Sequence, residues 1–200
     1  MSLSERLRRP DWLAEMQAVL VTGLVLVGVG VVVAAVSLVR RDPIPVDLPS
    51  EGIVRPDLSG VRPNVRLGDG GTVQVLVDHP TSAQVAWYLA GSAPVFLVVA
   101  YTLVTLLRIV RTARRGDPFA AVNVRRLRVL GLVVLVGGVA DTVTGAVSAF
   151  ALGSSVAPGV APGATIELSG WWYLVGFGFL AIAEVVSRGR TMRAELDEVI

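Results

Sequence analysis

The sequence predicts an all-α integral membrane protein with four transmembrane helices and a small extracytoplasmic β-hairpin. Three observations predict this fold class: four long apolar runs, an uneven distribution of arginine between the segments that join them, and one short stretch of alternating β-prone residues. The chain is 53% hydrophobic and 17% charged, whereas an average soluble domain carries about 25% charged residues. The composition therefore excludes an ordinary soluble domain.

The four apolar runs are each long enough to cross a bilayer. A helix rises about 1.5 Å per residue and the hydrocarbon core is about 30 Å thick, so a span needs roughly 20 residues. The predicted spans cover residues 18–39, 85–107, 127–152 and 169–186. We expect one membrane domain over residues 1–200, with outer loops at 40–84 and 153–168.

The arginine distribution predicts the orientation of these spans. The two terminal segments and the connection between the second and third runs, counted together with Arg128 at the start of the third run, carry 13 arginines and seven acidic residues, whereas the other two loops carry five arginines and seven acids. Short arginine-rich segments stay on the cytoplasmic side. We therefore expect a multi-pass membrane protein with both termini in the cytoplasm. All 18 basic residues are arginine, which is typical of a GC-rich bacterial genome, so the expected location is the bacterial cell membrane. Arg40 and Arg41, at the outer end of the first run, are the exception.

The first apolar run has a second interpretation, a cleaved signal peptide, because Arg6, Arg8 and Arg9 precede it. The apolar part of a signal peptide is usually about 7 to 15 residues long. This run has 22 residues, which favours a retained anchor.

The first outer loop holds six of the 11 prolines, which exclude a long helix there. Between Val65 and Val77 the pattern changes, because the glycine-rich segment 68–71 separates two short β-prone runs. In the second of these runs, valines alternate with other residues. This pattern predicts a β-hairpin whose turn is the glycine-rich segment.

The connection between the second and third runs has the residue types of a sharp turn between two helices. Gly116 can end a helix, Asp117 can cap the next one, and Pro118 suits a first helical position. Its arginines indicate either a collar facing phospholipid or a docking surface for an acidic partner, and direct binding of nucleic acid is not expected. The candidate docking residues are Arg114, Arg115, Asp117, Phe119, Asn123, Arg125, Arg126 and Arg128.

The fourth run continues into an amphipathic tail. Glu184 lies near its cytoplasmic end, and Arg188 follows four residues on, in the favourable direction for an ion pair. Beyond Arg188 the chain can remain helical, with one apolar stripe that either packs on the inner connection or docks in a groove of a partner. The stripe consists of Met192, Leu196, Val199 and Ile200.

Asp141 lies near the middle of the third run, where an ionised carboxylate is costly and usually faces the bundle interior or a wet cavity. Gly138, Gly145 and Ser148 share its helix face at spacings of three, four and seven residues. Such small residues let another helix approach closely, so we expect Asp141 to be buried. A hydrogen-bonded packing role is favoured over an ion or proton site.

The segment from Arg115 to Phe119, together with Asn123 and the run from Arg126 to Gly131, resembles the DUF2975 family of bacterial four-helix membrane proteins. The end of the chain, from Ala183 onward, is also similar to that family, and the resemblance takes in the whole layout. It implies no established activity. It does imply a possible partner, because members are often encoded beside a small helix-turn-helix DNA-binding regulator.

No catalytic, cofactor-binding or metal-binding residue is predicted. His79 is the only histidine and the chain has no cysteine, which leaves no pair for a metal site or a thiol dyad. The segment 176–181 matches the dinucleotide fingerprint by letters, but no strand precedes it. We expect a non-enzymatic protein of the lipid bilayer. The alternative is a homo-oligomeric transporter or permeation subunit that uses Asp141. Four spans without an inverted repeat are too few to enclose a transport pathway in one chain, so this alternative requires oligomerisation.

Overall fold

The computed structural model describes residues 12–49, 72–115, 120–157 and 169–197. Within these residues the chain forms four helices and two strands. They are α1 (Trp12–Arg40), β1 (Ile44–Pro49), β2 (Thr72–Val77), α2 (Ser82–Arg115), α3 (Ala121–Val156) and α4 (Gly170–Asp197). All four helices are long and apolar enough to cross a membrane, and the predicted fold class is confirmed.

The helices are longer than the apolar runs that predict them. They contain 29, 34, 36 and 28 residues, which corresponds to lengths of about 42 to 54 Å. A hydrocarbon core of about 30 Å therefore leaves one or more turns of each helix outside it. The end of α2 at Arg115 and the end of α4 at Asp197 extend past the predicted spans.

The ends of two helices are stabilised by specific local hydrogen bonds. After α1, Arg41 has a φ of 53° and Asp42 N–H donates to Ser37 O at 3.1 Å; this is a Schellman-type end with arginine in place of the usual glycine. At the start of α2, Gln84 N–H donates to Thr81 Oγ1 at 3.3 Å, and Thr81 N–H donates to Gln84 Oε1 at 2.9 Å. This reciprocal pair is a capping box that fixes where α2 begins.

Strands β1 and β2 form an antiparallel pair, with Ile44 opposite Val77 and Leu48 opposite Val73. The predicted strand at the end of the segment 65–77 is present as β2. Its partner in the structure is β1, and residues 50–71 separate the two strands in the chain. The predicted glycine-rich turn and the run before it lie outside the described residues.

The chain divides into two compact units. The sheet unit comprises Val33–Pro94 and Val139–Leu168. Its buried cluster joins one face of β1 to the end of α3 and consists of Ile44, Val46, Leu48 and Leu152. This packing attaches the sheet to α3.

The helical unit comprises Met1–Val32, Val95–Gly138 and Ser169–Ile200. Its core is formed by Val98, Leu130 and Val134, with Val175 and Phe179 of α4 packed against them. Because lipid is as apolar as these side chains, close packing rather than removal from water holds such helices together.

Helices α3 and α4 approach most closely at two glycines. A Cβ added to Gly131 would lie 2.9 Å from the carbonyl oxygen of Gly176, and a Cβ added to Gly176 would lie 3.2 Å from that of Gly131 and 2.6 Å from Leu135 Cγ. Only glycine allows the two backbones to be this close. Gly176, the first glycine of the segment that matches the dinucleotide fingerprint by letters, is therefore a packing residue.

Candidate functional site

The candidate site is a cluster of polar side chains in the helical unit, which we call the arginine end. Within the described side chains it holds eight arginines and two glutamates. The start of α1, the last turns of α2, the first turns of α3 and the last part of α4 contribute to it. Its members are Glu15, Arg108, Arg111, Arg114, Arg125, Arg126, Arg128, Glu184, Arg188 and Arg190.

Arg126 is the internal member of this cluster. Its Nη1 donates to Thr112 Oγ1 at 2.9 Å, to the carbonyl oxygen of Arg108 at 3.4 Å and to Asn123 Oδ1 at 3.4 Å. The side chain is partly buried, and Asn123 beside it is only 1% exposed. Arg126 thus joins the first turns of α3 to the last turns of α2, and the structure places Asn123 inside the arginine end rather than on its surface.

Arg114 makes a second connection between helices. Its Nη1 donates to Gln17 Oε1 at 2.7 Å, which ties the last turn of α2 to the first part of α1. Gln17 and Arg114 are 97 positions apart in the chain. The arginine end therefore takes residues from α1 as well as from the connection between α2 and α3.

Glu184 of α4 is held between two arginines. The i,i+4 pair predicted from the spacing is present, with Arg188 Nε 3.0 Å from Glu184 Oε1, and Arg128 Nη2 lies 3.4 Å from Glu184 Oε2. All three side chains are more than half exposed. Exposed ion pairs of this kind contribute little to stability in water, so this trio orients α3 and α4 more than it stabilises them.

Four arginines remain exposed and form no ion pair with a described acidic side chain: Arg108, Arg111, Arg125 and Arg190. Because the nearby Glu184 is already shared by Arg128 and Arg188, these four leave the surface strongly positive. A surface of this kind attracts acidic protein faces and anionic lipid headgroups.

The turn between α2 and α3 is only partly described. Helix α3 begins at Ala121, three residues after the predicted start at Pro118, with Asn123 N–H donating to the carbonyl oxygen of Ala120 at 2.9 Å.

Met192 in the tail is 59% exposed, and α4 continues past it as predicted. The docking candidates whose side chains lie outside the described part are Arg115, Asp117, Phe119, Leu196, Val199 and Ile200.

Asp141, on α3, is partly buried. Its carbonyl oxygen accepts a 3.3 Å hydrogen bond from Thr144 Oγ1. The small residues on its face differ from one another: a Cβ on Gly138 would lie 2.5 Å from Trp172 Cβ, whereas a Cβ on Gly145 would meet no atom within 4 Å. The face is tightly packed on one side of Asp141 and open on the other.

The sequence profile of a family described as "Protein of unknown function (DUF2975)" matches residues 65–200, more than half of the chain. The chain belongs to the DUF2975 family. The match includes β2, α2, α3 and α4 but begins after α1 and β1, so it is narrower than the whole-layout resemblance expected from the sequence. No curated protein and no solved structure matches the chain.

Sequence reasoning about this DUF2975 member missed several contributors to the arginine end. Gln17 and Thr112 are ordinary polar residues whose partners lie far along the chain. Arg108 and Arg111 were counted in the charge distribution but not named as docking residues. Their position four to seven residues before Arg115 on one long helix could have identified them, since α2 continues without interruption to Arg115.

Proposed function

We propose that the chain is a membrane-anchored binding protein whose arginine end docks a small cytoplasmic helix-turn-helix DNA-binding regulator, and so holds or senses it at the membrane. The observation that supports this proposal is the surface formed by Arg108, Arg111 and Arg125, which are exposed and form no ion pair with a described acidic side chain. The resemblance to the DUF2975 family supports the kind of partner, because members are often encoded beside such a regulator. Binding, rather than catalysis, is the activity proposed.

The proposal requires the arginine end to face the cytoplasm. The concentration of arginine in the terminal segments and in the connection between α2 and α3 supports that orientation, because translocation of such segments is opposed during insertion.

Electrostatics limits how a DNA-binding partner can be held. Surfaces that bind DNA are themselves basic, because they neutralise phosphates, and they are repelled by exposed arginines. The regulator therefore docks through an acidic face. The complex should weaken as salt is raised, since exposed charges separated by more than about 8 Å are largely screened at physiological ionic strength.

The test is co-purification of the full-length chain in mild detergent, with identification of the co-eluting protein by mass spectrometry. The wild type is expected to retain a small DNA-binding protein. A variant with Arg108→Gln, Arg111→Gln and Arg125→Gln should lose it. The matched control changes Arg40→Gln and Arg41→Gln at the other end of α1 and should retain it.

Retention of the regulator by the triple variant, once its insertion is shown to be normal, would reject the arginine surface as the docking site. A surface that is only a phospholipid collar gives a different result, namely no co-eluting regulator with either protein. Changes of arginine can also alter topology, so insertion is checked by labelling a single cysteine at Ser154 in intact cells.

The tail is the second proposed contact. Met192 starts an apolar stripe on a helix that extends to Asp197, and an amphipathic helix of this kind can enter a groove of a partner. Deletion of residues 195–200, or Leu196→Glu, should leave the four spans inserted and remove the regulator. A tail-less, properly inserted protein that still binds the regulator would reject this role, and would support packing of the tail on the chain itself.

A second candidate function is permeation by a homo-oligomer through Asp141. The open space at Gly145, one turn from Asp141, favours it, because a carboxyl group within a span needs a wet or polar surrounding. Reconstitution into vesicles tests it: Asp141→Asn should abolish proton or cation flux while the protein still folds. The absence of flux with the wild type would reject this candidate.

A further inference from the structure

The two outer edges of the sheet differ in their chemistry. Within the described residues the sheet has two strands, so β1 and β2 each have one neighbour and one open side. A strand edge with unpaired N–H and C=O groups is a template on which another strand can pair. The register of β1 against β2 decides which backbone groups point outward on each side.

Prolines close the outer edge of β1. In an antiparallel pair, opposite residues alternate between pairs that exchange both N–H···O bonds and pairs that exchange none. Pro45 lies opposite Leu76, and proline has no N–H to exchange. The hydrogen-bonded pairs are therefore the alternate ones, such as Val46 with Val75. The backbone of Pro45 and Pro49 faces outward, and the outer edge of β1 lacks a donor at both positions.

The outer edge of β2 keeps its donors. The same alternation directs the backbone N–H and C=O groups of Thr72, Gln74 and Leu76 away from β1. Strand β2 contains no proline and no charged residue, which are the residue types that commonly protect an edge strand from pairing. No strand of the described residues lies beside this edge. The sheet is thus closed on the β1 side and open on the β2 side.

The side chains of β2 divide into a packed face and a free face. Val75 and Val77 pack against the buried cluster of β1 and α3, whereas Gln74 and Leu76 are exposed. An added strand has to continue this division, because a register shift of one residue would turn its apolar side chains to the wrong face. This condition restricts which strands fit the edge.

A second copy of β2 meets this condition. When Gln74 is placed opposite Gln74 of the second copy in an antiparallel pair, Val73 lies opposite Val75, and Thr72 lies opposite Leu76. The outward-directed backbone groups of the two copies then meet, and the valines stay on one face of a sheet with the strand order β1–β2–β2–β1. Because β2 is uncharged, this pairing places no like charges opposite each other.

The segment that precedes β2 in the chain matches the edge less well. Its β-prone run covers residues 65–67, and Pro63 lies just before it. Strand β2 has six residues, so a run of this length covers about half of the edge. A second copy supplies a complementary strand of full length.

We propose that the outer edge of β2 is a homodimer interface, in which β2 pairs antiparallel with β2 of a second copy about a two-fold axis at Gln74. Such a contact uses the same surface on both copies. Backbone hydrogen bonds hold the strands together, as in other cases of strand addition to a sheet edge. This interface does not depend on the docking of a regulator.

Cysteine cross-linking of the full-length chain in isolated membranes tests the register, since the chain has no cysteine of its own. Hydrogen-bonded residues opposite each other have Cα atoms about 5.5 Å apart, within the range of a disulfide. Gln74→Cys should therefore form a disulfide dimer under mild oxidation. In the matched control, Asp47→Cys, the residue is also exposed and lies opposite Gln74 on β1. The two copies of this control residue are three strand spacings apart, about 14 Å, and should not cross-link.

Equal dimer formation by the two cysteine variants would indicate random collision in the membrane. No dimer with Gln74→Cys would mean that water, the chain itself or another protein covers the edge. Either result would overturn the proposal.

Charges at Gln74 test the two-fold axis independently of a disulfide. Gln74→Lys and Gln74→Glu each place like charges opposite each other, so each should weaken the association of two differently tagged copies in detergent several-fold. A mixture of the two variants should associate again, because opposite charges then meet. Asp47→Lys is the control and should associate as the wild type does. Pairing of β2 within one chain gives no such rescue, and its absence would reject the two-fold pairing.

Proline substitutions separate the dimer from the fold. The N–H of Gln74 points away from β1, so Gln74→Pro should remove the dimer and lower the melting temperature far less than Val75→Pro, which removes an N–H that bonds to β1. A folded Gln74→Pro variant that still associates as the wild type does would show that the copies meet at another surface.

Discussion

Arg126 differs from its sequence neighbour Arg125 in what its guanidinium contacts. Arg126 donates to three oxygens, on Arg108, Thr112 and Asn123, whereas Arg125 is exposed. Two arginines of equal charge, one residue apart, thus have different roles. One holds α2 and α3 together, and the other remains available on the surface.

The first prediction compares these two arginines. Hydrogen bonds from a charged donor contribute about 1.5 to 3 kcal/mol, so Arg126→Gln should lower the free energy of unfolding by about that much. Arg125→Gln should change it by about 0.5 kcal/mol or less, as exposed substitutions usually do. Thermal unfolding of both variants in the same detergent is the measurement, and equal melting temperatures would show that the Arg126 contacts contribute nothing.

The second prediction concerns Asp141, which we interpret as mainly structural in the chain itself. Asp141→Asn should keep the unfolding free energy within about 1 kcal/mol, because an amide of the same shape still forms hydrogen bonds. Asp141→Leu should destabilise the protein more, because a larger apolar side chain must fit beside Gly138, which is packed on Trp172. If both variants melt at the wild-type temperature, Asp141 makes no packing contribution.

For side-chain contacts, the sequence predicted the one between residues close in the chain and missed those between distant residues. The pairing of Glu184 with Arg188 follows from helical spacing, so it could be predicted. The contact of Arg128 with Glu184 joins residues 56 positions apart, and that of Arg126 with Thr112 joins residues 14 apart across a turn. Both depend on how the helices pack, which charge counting does not report.

Among the elements, glycines determine where helices can touch. Gly176 and Gly178 lie two residues apart on α4, but only Gly176 faces the backbone of α3. The letters G-x-G do not distinguish the packed glycine from the open one. The distinction comes from the helix face on which each glycine lies.

The third prediction uses this pair. A Cβ on Gly176 would lie 2.6 Å from Leu135 Cγ, closer than real contacts, so Gly176→Ala should destabilise the protein by about 1 to 3 kcal/mol through overpacking. Gly178→Ala, which meets no atom within 4 Å, is the control and should melt as the wild type does. A tolerated Gly176→Ala would mean that α3 and α4 can separate without loss.

The sheet shows which element the sequence could predict and which it could not. β2 has β-branched residues in clear alternation, and it was predicted as a strand. β1 alternates in the same way, with Ile44, Val46 and Leu48 buried, but Pro45 and Pro49 obscured it because proline argues against a strand. A strand at the sheet edge tolerates proline wherever no ladder N–H is needed.

The uneven distribution of arginine and the order of the four helices predict how the whole molecule is oriented in the membrane, and this orientation can be tested. The helical unit holds the arginine end. The docking proposal depends on whether this end faces the cytoplasm.

The last prediction tests that orientation by labelling single cysteines, without background because the chain has none of its own. A cysteine at Ser154, exposed near the end of α3, or at Ser59 should react with a membrane-impermeant thiol reagent in intact cells. A cysteine at Ala121, exposed at the start of α3, or at Ala194 in the tail should react only after the membrane is permeabilised. Labelling after permeabilisation controls for thiols that are simply buried. The reverse pattern would place the arginine end outside the cell, and a cytoplasmic regulator could then not be its partner.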